Sequence, residues 1–546
     1  MKPSLAIYAP KDINNEFSEY IHDHNLTIFN NGQVIKYLHF ERITGKKYDN
    51  TLDQHLYEIL KKSKLLTIDA DLIFIDSVLG RSFLSSEGKF RFEASPWESI
   101  SQEPIKARAL WLIANWKNAW LVPHELAHIF SCIPFYGIFK NNSLLIHFDG
   151  GASLSNISFW LWKKNQLTLL DYSWQAKKLS SLFNANALNF FIINVKRLEH
   201  NSMPGKFMGF SGFGRYDRQI EQWLIENDFF QDIWHNKKIF FQKAKEKFGW
   251  NANRFDTRDK FLQDIAATVQ HYFTFQTFDI IKKWQLKTNT EYLYYTGGSA
   301  LNLYTNQTLY FSKIFKDIFI PPAPGDSGLS LGAAAFIEWK KGNEIKPHLP
   351  YLNNWELENK QVIENSKDLD KIASLIYEGK VIGICNGWGE IGPRALGNRS
   401  IIALTHDRKL AQYISQKLKG REWYRPIAPI MLESEAKNIT GIENIPLISR
   451  FMLMNFKILR KWQEKLMGTV HIDATARIQT LFKRQDNPFM WDLLTLLKRK
   501  YNIPALINTS FNAKGKPIVH SVDDAIKQAK EMNLEFIVID GKLIKI

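Results

Sequence analysis

Short apolar runs broken by turn residues open the chain, and the same rhythm returns in its last third. Residues 4–10, SLAIYAP, read as a strand. Residues 26–40, LTIFNNGQVIKYLHF, read as a hairpin around Asn30, Asn31 and Gly32, since Asn-Gly supplies the positive φ that such a turn requires. From there to about residue 130 the pattern predicts amphipathic helices. Residues 143–153, SLLIHFDGGAS, are a strand running into paired glycines, and residues 291–306, EYLYYTGGSALNLYTN, repeat that form. Between them, over 160–285, the signals are mixed and mostly helical. Residues 321–335, PPAPGDSGLSLGAAA, form a proline-rich loop that leads into a helix of small residues.

Around 340–365 the chain turns polar and proline-marked, which places a domain boundary there. Beyond it KVIGICNG (380–387), IPALINTSFN (503–512) and EFIVIDGKLIKI (535–546) are strands, with a helical stretch at 407–420. Strands alternating with helices predict α/β architecture on both sides of the boundary. The length of 546 residues also exceeds what one core usually serves.

Composition narrows the class. Hydrophobic residues make up 45% and charged residues 23%, the balance of a soluble globular protein. Only two cysteines are present, Cys132 and Cys385, at no metal or redox spacing, so a reducing compartment is expected. The first residues hold too short an apolar run for a secretory leader, and no stretch nears the ~18 apolar residues of a membrane span. The expected location is the cytoplasm. The net charge of +16 comes from scattered lysines rather than a basic stripe, which disfavours nucleic acid as a partner.

The first chemical signal is PHELAH at 123–128. His124 and His128 lie four apart, on one face of a helix, and can direct two imidazoles at one ion. With Glu125 between them the stretch satisfies the H-E-x-x-H pattern of zinc peptidases, in which the glutamate is the base. Ser131 and Pro134 stand where the extended peptidase motif needs glycine and histidine, and a strand follows instead of a helix carrying a third ligand. A peptidase remains the alternative. The two Gly-Gly turns, Gly150-Gly151 and Gly297-Gly298, offer backbone N–H groups to an anion, because no Cβ intervenes. Two such turns, each following a strand, resemble the duplicated nucleotide-binding fold shared by sugar kinases, actin and Hsp70, with Asp149 and Asp326 beside a nucleotide and a metal.

Ten stretches carry a closer resemblance, among them HDHNLTIFNNG (22–32), ERITGKKYD (41–49), FDGG (148–151), TGGSALN (296–302), GEIGPRALGNRS (389–400), YRPIAP (424–429), VHIDATARIQT (470–480) and LINTSFNAKGKPIV (506–519). In this order they resemble the NodU/CmcH family of ATP-dependent O-carbamoyltransferases, which includes antibiotic carbamoyltransferases of the TobZ type. The resemblance covers the whole chain. It implies a carbamoyl-transfer domain over 1–350, on the actin-like fold and similar to the tRNA threonylcarbamoyl transferase. A YrdC-like α/β domain over 366–546 would make carbamoyl adenylate from carbamoyl phosphate and ATP.

The family pattern implies roles residue by residue. His124, His128, Asp149 and Asp326 would hold iron(II), with other divalent ions (magnesium among them) compatible with the same donors; His147 is the substitute for a third ligand. Arg394, Lys419 and Arg425 would clamp phosphate and carbamoyl oxygens, and Arg477, Asn508 and Ser510 would hold the adenylate. Gly150, Gly151, Gly297, Gly298 and Asn302 belong to the nucleotide turns. His22 and Asp23 would orient or deprotonate the acceptor, a small-molecule hydroxyl. Arg394 and Arg425 are also expected to act in catalysis, and Arg399 and Asn398 to brace their loop. Trp388 stands where the family usually has arginine, which leaves open a nucleotide-binding homologue with impaired chemistry. The oligomeric state is open, a homodimer included.

Overall fold

The computed structural model describes residues 2–11, 21–77, 83–113, 115–176, 179, 182, 201–232, 237–252, 254–357 and 367–546. The last part of the expected boundary segment, 358–365, and the first residue of the expected rear domain lie outside these residues.

Two sheets with one topology make up the front of the molecule. The first contains β1 (Ser4–Tyr8), β2 (Asn25–Asn30), β3 (Gln33–His39), β4 (Asp71–Ile75), β5 (Phe83–Leu84), β6 (Phe90–Ala94), β7 (Ile105–Trp111) and β8 (Asn115–Val122), in the order β3-β2-β1-β4-β8-β7-β6-β5. The second contains β9 (Ser143–Phe148), β10 (Ile157–Lys163), β11 (Gln166–Ser173), β12 (Tyr292–Thr296) and β13 (Asp317–Phe319), in the order β11-β10-β9-β12-β13. In each, three successive strands form an antiparallel meander, β1-β2-β3 and β9-β10-β11, and two strands that return by crossovers extend the sheet in parallel: β1 with β4 and β4 with β8, β9 with β12 and β12 with β13. This is the duplicated, actin-like arrangement, and the two glycine turns occupy the same end of the second sheet.

The hairpin expected at Asn30-Asn31-Gly32 is present, with Asn31 at φ 48° and Gly32 at φ 72°. The helical reading of 41–130 is corrected. Helices occupy Phe40–Thr44 and Leu52–Lys62, but five strands follow before His124. The sequences FRFEA and IKARALW alternate with period two, which is the strand pattern. Likewise β10 and β11 claim the start of the region read as mostly helical, and the 29-residue helix Lys260–Thr288 closes it.

A third sheet, made of β14 (Ile382–Cys385), β15 (Arg399–Leu404), β16 (Ala428–Leu432), β19 (Gln479–Leu481), β20 (Ala505–Ser510), β21 (Phe536–Ile539) and β22 (Lys542–Lys545), runs β19-β16-β20-β15-β14-β21-β22. The short pair β17 (Phe456–Lys457) and β18 (Thr475–Ala476) stands beside it. This α/β unit does not hang free. Phe207, Phe210 and Leu303 of the front share one buried core with Met452, Leu453, Met454 and Phe456 of the rear, and Asn306 donates to the Leu453 carbonyl at 2.8 Å. Shared apolar burial of this kind fixes the two units against each other. Among the described residues no helix is long and apolar enough to cross a membrane.

Candidate active site

The parallel strands of both front sheets end at one place. Tyr8 closes β1, Asp76 follows β4, and Pro123 caps the helix His124–Phe130 after β8. From the other sheet come Asp149 after β9, Gly297 after β12, and Pro324 to Asp326 after β13. Ligand sites form at such carboxyl ends. The helix His124–Phe130 is buried at every position, and the helix Leu329–Lys340 lies against it so closely that a Cβ on Gly332 would sit 1.7 Å from the Ala127 carbonyl oxygen. That is the structural use of the small residues in LSLGAAA.

The two histidines point at each other. Their Nε2 atoms are 3.1 Å apart, and both lie near one Asp326 oxygen, His124 at 3.6 Å and His128 at 3.5 Å. Each Nδ1 meets a backbone carbonyl, His124 that of Asp76 at 2.9 Å and His128 that of Pro324 at 3.0 Å. A carbonyl can only accept, so each Nδ1 carries the proton, and in the neutral rings each Nε2 presents a lone pair. Two lone pairs facing each other beside a carboxylate repel unless a cation lies between them. The donor set therefore fits a divalent metal with imidazole and carboxylate ligands. With no ion bound, a proton takes that place: burial works against charge on His124, yet the Asp326 carboxylate holds its pKa up at about 9. Burial likewise opposes ionised Asp326, but the imidazoles, when protonated at Nε2, donate to it and bring its pKa well below the usual carboxylate range.

Asp149 is further out, 3.7 Å from His128, and its carboxylate accepts from the backbone N–H groups of Gly150 and Gly298. His147 stacks on His128 at 5.0 Å between ring centroids and is not among the converging ligand atoms. Burial and the positive field of His128 and His124 push its pKa well down, so it stays neutral. Glu125 answers the peptidase alternative: its carboxylate accepts from Leu154 N at 2.8 Å and Ser155 Oγ at 3.0 Å, bracing the turn after β9 instead of the metal site.

The rear unit supplies the opposite charge. Arg394, Lys419, Arg421, Arg425 and Arg477 line the same cavity. Burial and the neighbouring Arg425 depress the pKa of Arg394 to about 10 and that of Arg421 to about 9, and burial with three surrounding arginines brings Arg477 well down. The carboxylate nearest this group is Glu422, 3.6 Å from Arg425 and 2.8 Å from Lys206. The Nε atoms of Arg394 and Arg477 are buried without a hydrogen-bond partner among the described residues. Cations crowded together with too little negative charge make a receptor for polyanions.

The loop carrying Arg394 is held by Glu390, one of whose oxygens accepts from the backbone N–H groups of Leu396, Asn398 and Arg399. Arg399 spends its guanidinium on the carbonyls of Asn386, Gly387, Asn398 and His520. It braces the loop, as does Asn398, whose side chain donates to the Trp388 carbonyl at 2.9 Å. Trp388 itself is not among the residues lining the cavity.

Other expected residues have local duties. Lys419 gives its ammonium to Ser510 O, Asn512 O and Asn512 Oδ1, so it ties the NTSFN loop rather than pointing free into the cavity. Ser510 also donates to Asn512. Asn508 donates to Gln479 and Ala395 while its Oδ1 is buried without a partner among the described residues. Asn302 caps the helix Leu303–Ser312 by accepting from Thr305 N at 3.1 Å. Gly297, at φ 90°, would put a Cβ 2.2 Å from the Phe148 carbonyl oxygen, whereas Gly150 faces open space.

His22 and Asp23 sit on the front rim of the cavity, His22 Nδ1 being 3.0 Å from Asp23 Oδ2. Burial would lower the pKa of His22, but Asp23, with Asp326 and Asp149 beyond it, raises it to about 9. Four contributors lay outside the sequence reading: Tyr8, which donates to Asp326 at 2.7 Å, Asn25, His39 and Arg421. Two of them had a signal, Asn25 by its place in HDHNLTIFNNG and Arg421 by its place in the KLKGRE stretch beside Lys419.

Both groups of residues open into one chamber of about 1980 Å³. Comparison with known proteins accords with this arrangement. The model of the carbamoyltransferase N-terminus matches residues 17–335, and that of the carbamoyltransferase C-terminus matches residues 373–545. Nodulation protein NolNO of Sinorhizobium fredii is 27% identical over 96% of this chain and 79% of its own. Nodulation protein U of Azorhizobium caulinodans is 25% identical over 92% and 94%. Full-length HypF in a phosphate- and nucleotide-bound form is matched at TM-score 0.34 and 12% identity, over 62% of this chain and 55% of that one. With both halves of the chain matched in their order, this protein belongs to the carbamoyltransferase family and is a carbamoyltransferase of the NodU/CmcH type.

Proposed function

We propose that the protein is an ATP-dependent O-carbamoyltransferase whose two half-reactions share the chamber. In the rear unit, 366–546, carbamoyl phosphate loses phosphate to water, and an oxygen of the resulting carbamate attacks the α-phosphorus of ATP, releasing pyrophosphate. Arg394, Arg421, Arg425 and Arg477 would bind the phosphates and offset the charge that builds on them, with Asn508 and the Ser510 loop beside the mixed anhydride. In the front unit, 1–350, a hydroxyl of a small-molecule acceptor attacks the carbamoyl carbon; AMP leaves and the hydroxyl proton is taken up. His22, its Nδ1 on Asp23, offers Nε2 as that base.

His124, His128 and Asp326, with Asp149 at the nucleotide side, would hold a divalent ion, iron(II) by family resemblance, which supplies Lewis-acid charge beside the leaving phosphate. The carrying observation is the single chamber, with facing imidazole nitrogens on one wall and uncompensated guanidinium groups on the other. The test is exchange of labelled pyrophosphate into ATP: it should require carbamoyl phosphate. Exchange that proceeds equally without carbamoyl phosphate would remove the adenylate from the scheme.

A further inference from the structure

Asp23 does not serve His22 alone. Its second oxygen, Oδ1, lies 3.1 Å from Nε2 of His39, so one carboxylate stands between two imidazoles. Both imidazoles line the chamber, but His39, the last residue of β3, is 3% exposed, whereas His22 is the more open, its side chain 25% exposed. Asp23 holds a left-handed backbone, φ 56°, which is unusual outside glycine and marks a constrained position. The constraint has a visible source. Asn25, wholly buried, donates its amide to the Asp23 carbonyl at 2.6 Å and to the Asp326 carbonyl at 2.9 Å, while accepting from Ser330 N. The acceptor-side turn is thereby pinned to the segment that carries a metal-site carboxylate.

We infer that His39 is a positioning residue for the transfer step: by donating to Asp23 Oδ1 it fixes the carboxylate so that Oδ2 holds His22 with its Nε2 toward the chamber, and it weakens the hold of Asp23 on a proton at His22. This rests on the reading of His22 as the base. The geometry assigns the donor: ionised Asp23 can only accept, so His39 Nε2 carries a hydrogen, and its Nδ1 is buried without a partner among the described residues. Hydrogen bonds from both imidazoles keep the Asp23 pKa low against the cost of burial. A carboxylate shared between two donors stabilises an imidazolium less than one devoted to it, so His39 tempers the proton affinity of His22.

Other charged and titratable groups face this trio. Asp326 and Asp149 raise His22 from the metal side; Glu41, paired with Arg42, lies on the helix after β3; Tyr48 meets His22 edge-on at 6.2 Å, with Lys47 above it; and the neighbouring His24 is kept neutral, burial lowering its pKa to about 4. None of these donates to Asp23 Oδ1 in place of His39.

The test is a ¹⁵N-histidine NMR titration of the full chain, with the His22 signals assigned by their loss in His22→Ala. Replacing His39 by leucine should move the His22 midpoint upward by about half a pKa unit or more, a roughly threefold gain in proton affinity. His39→Gln, whose amide can donate to Asp23, should bring it back to within about 0.2 unit of the wild type. Pyrophosphate exchange, unchanged in both variants, reports that the chain is folded. A midpoint unmoved by leucine, or moved equally by leucine and glutamine, overturns the assignment. The base reading fails separately: it is lost if His22→Ala releases AMP from carbamoyl phosphate, ATP and glycerol, a surrogate polyol, as fast as the wild type.

Discussion

The two walls of the chamber hold their charge in opposite ways. On the front wall the imidazole pair and its carboxylates are ordered by the fold itself: carbonyls of Asp76 and Pro324 fix the rings, Tyr8 fixes Asp326, and glycine N–H groups fix Asp149. What is missing there is one positive charge between two nitrogens. On the rear wall the guanidinium groups of Arg394, Arg421, Arg425 and Arg477 repel one another, and Glu422 is a minor counterweight. What is missing there is several negative charges. A preorganised cation site and an underneutralised anion site call for different ligands, and so for different chemical steps.

The sharpest way to break that division is to cross the variants. Arg425→Ala removes a charge-assisted contact from a desolvated site, which costs roughly 2–4 kcal/mol, a factor of about 30 to 1,000 in pyrophosphate exchange. His128→Ala should leave exchange within about twofold of the wild type while abolishing metal uptake, read by elemental analysis, and AMP release to a polyol. If each substitution depressed both steps alike, the walls would not be separate sites.

A smaller effect sharpens the account of the front wall. Tyr8→Phe deletes the 2.7 Å hydrogen bond to Asp326 and nothing that would touch the ion. Outer partners of this kind typically carry a factor of about 10 to 100 in metal affinity. Competition with a chelating dye should show a loss in that range, with pyrophosphate exchange unaltered. An unchanged affinity would mean that Asp326 is oriented by its backbone alone.

These variants also mark how far the sequence was readable. The imidazole pair was legible because four-residue spacing on a helix fixes where side chains go, and GPRALGNRS and NTSFN were legible as motifs. The contacts of Tyr8, Asn25 and His39 were not. Each side chain acts across more than ten residues of chain, Tyr8 and Asn25 on Asp326 and His39 on Asp23, and no local pattern records such contacts. The strands between residues 71 and 122 were missed for a related reason. FRFEA and IKARALW do alternate, but their solvent-facing sides carry the lysine, arginine and glutamate that also suit a surface helix. Lys419 and Asn302 were found as cavity residues, while their use as a loop tie and a helix cap depends on partners the spacing does not reveal.

The mildest handle on the comparison is pH, because the front wall titrates between neutrality and pH 9 and the guanidinium wall does not. His22, raised to about 9, is an imidazolium at neutral pH and becomes a base only as pH climbs toward that value. Transfer to a polyol should therefore rise by up to tenfold per unit between pH 7 and 9. Burial and mutual repulsion strain the guanidinium groups of Arg394 and Arg421 without discharging them, because arginine keeps its proton throughout this range. Pyrophosphate exchange should therefore stay nearly flat from pH 7 to 9. A rising profile for transfer beside a flat one for exchange would place the two steps on the two walls. Parallel slopes would mean that one ionisation governs both, and the chamber would then have to be treated as a single site.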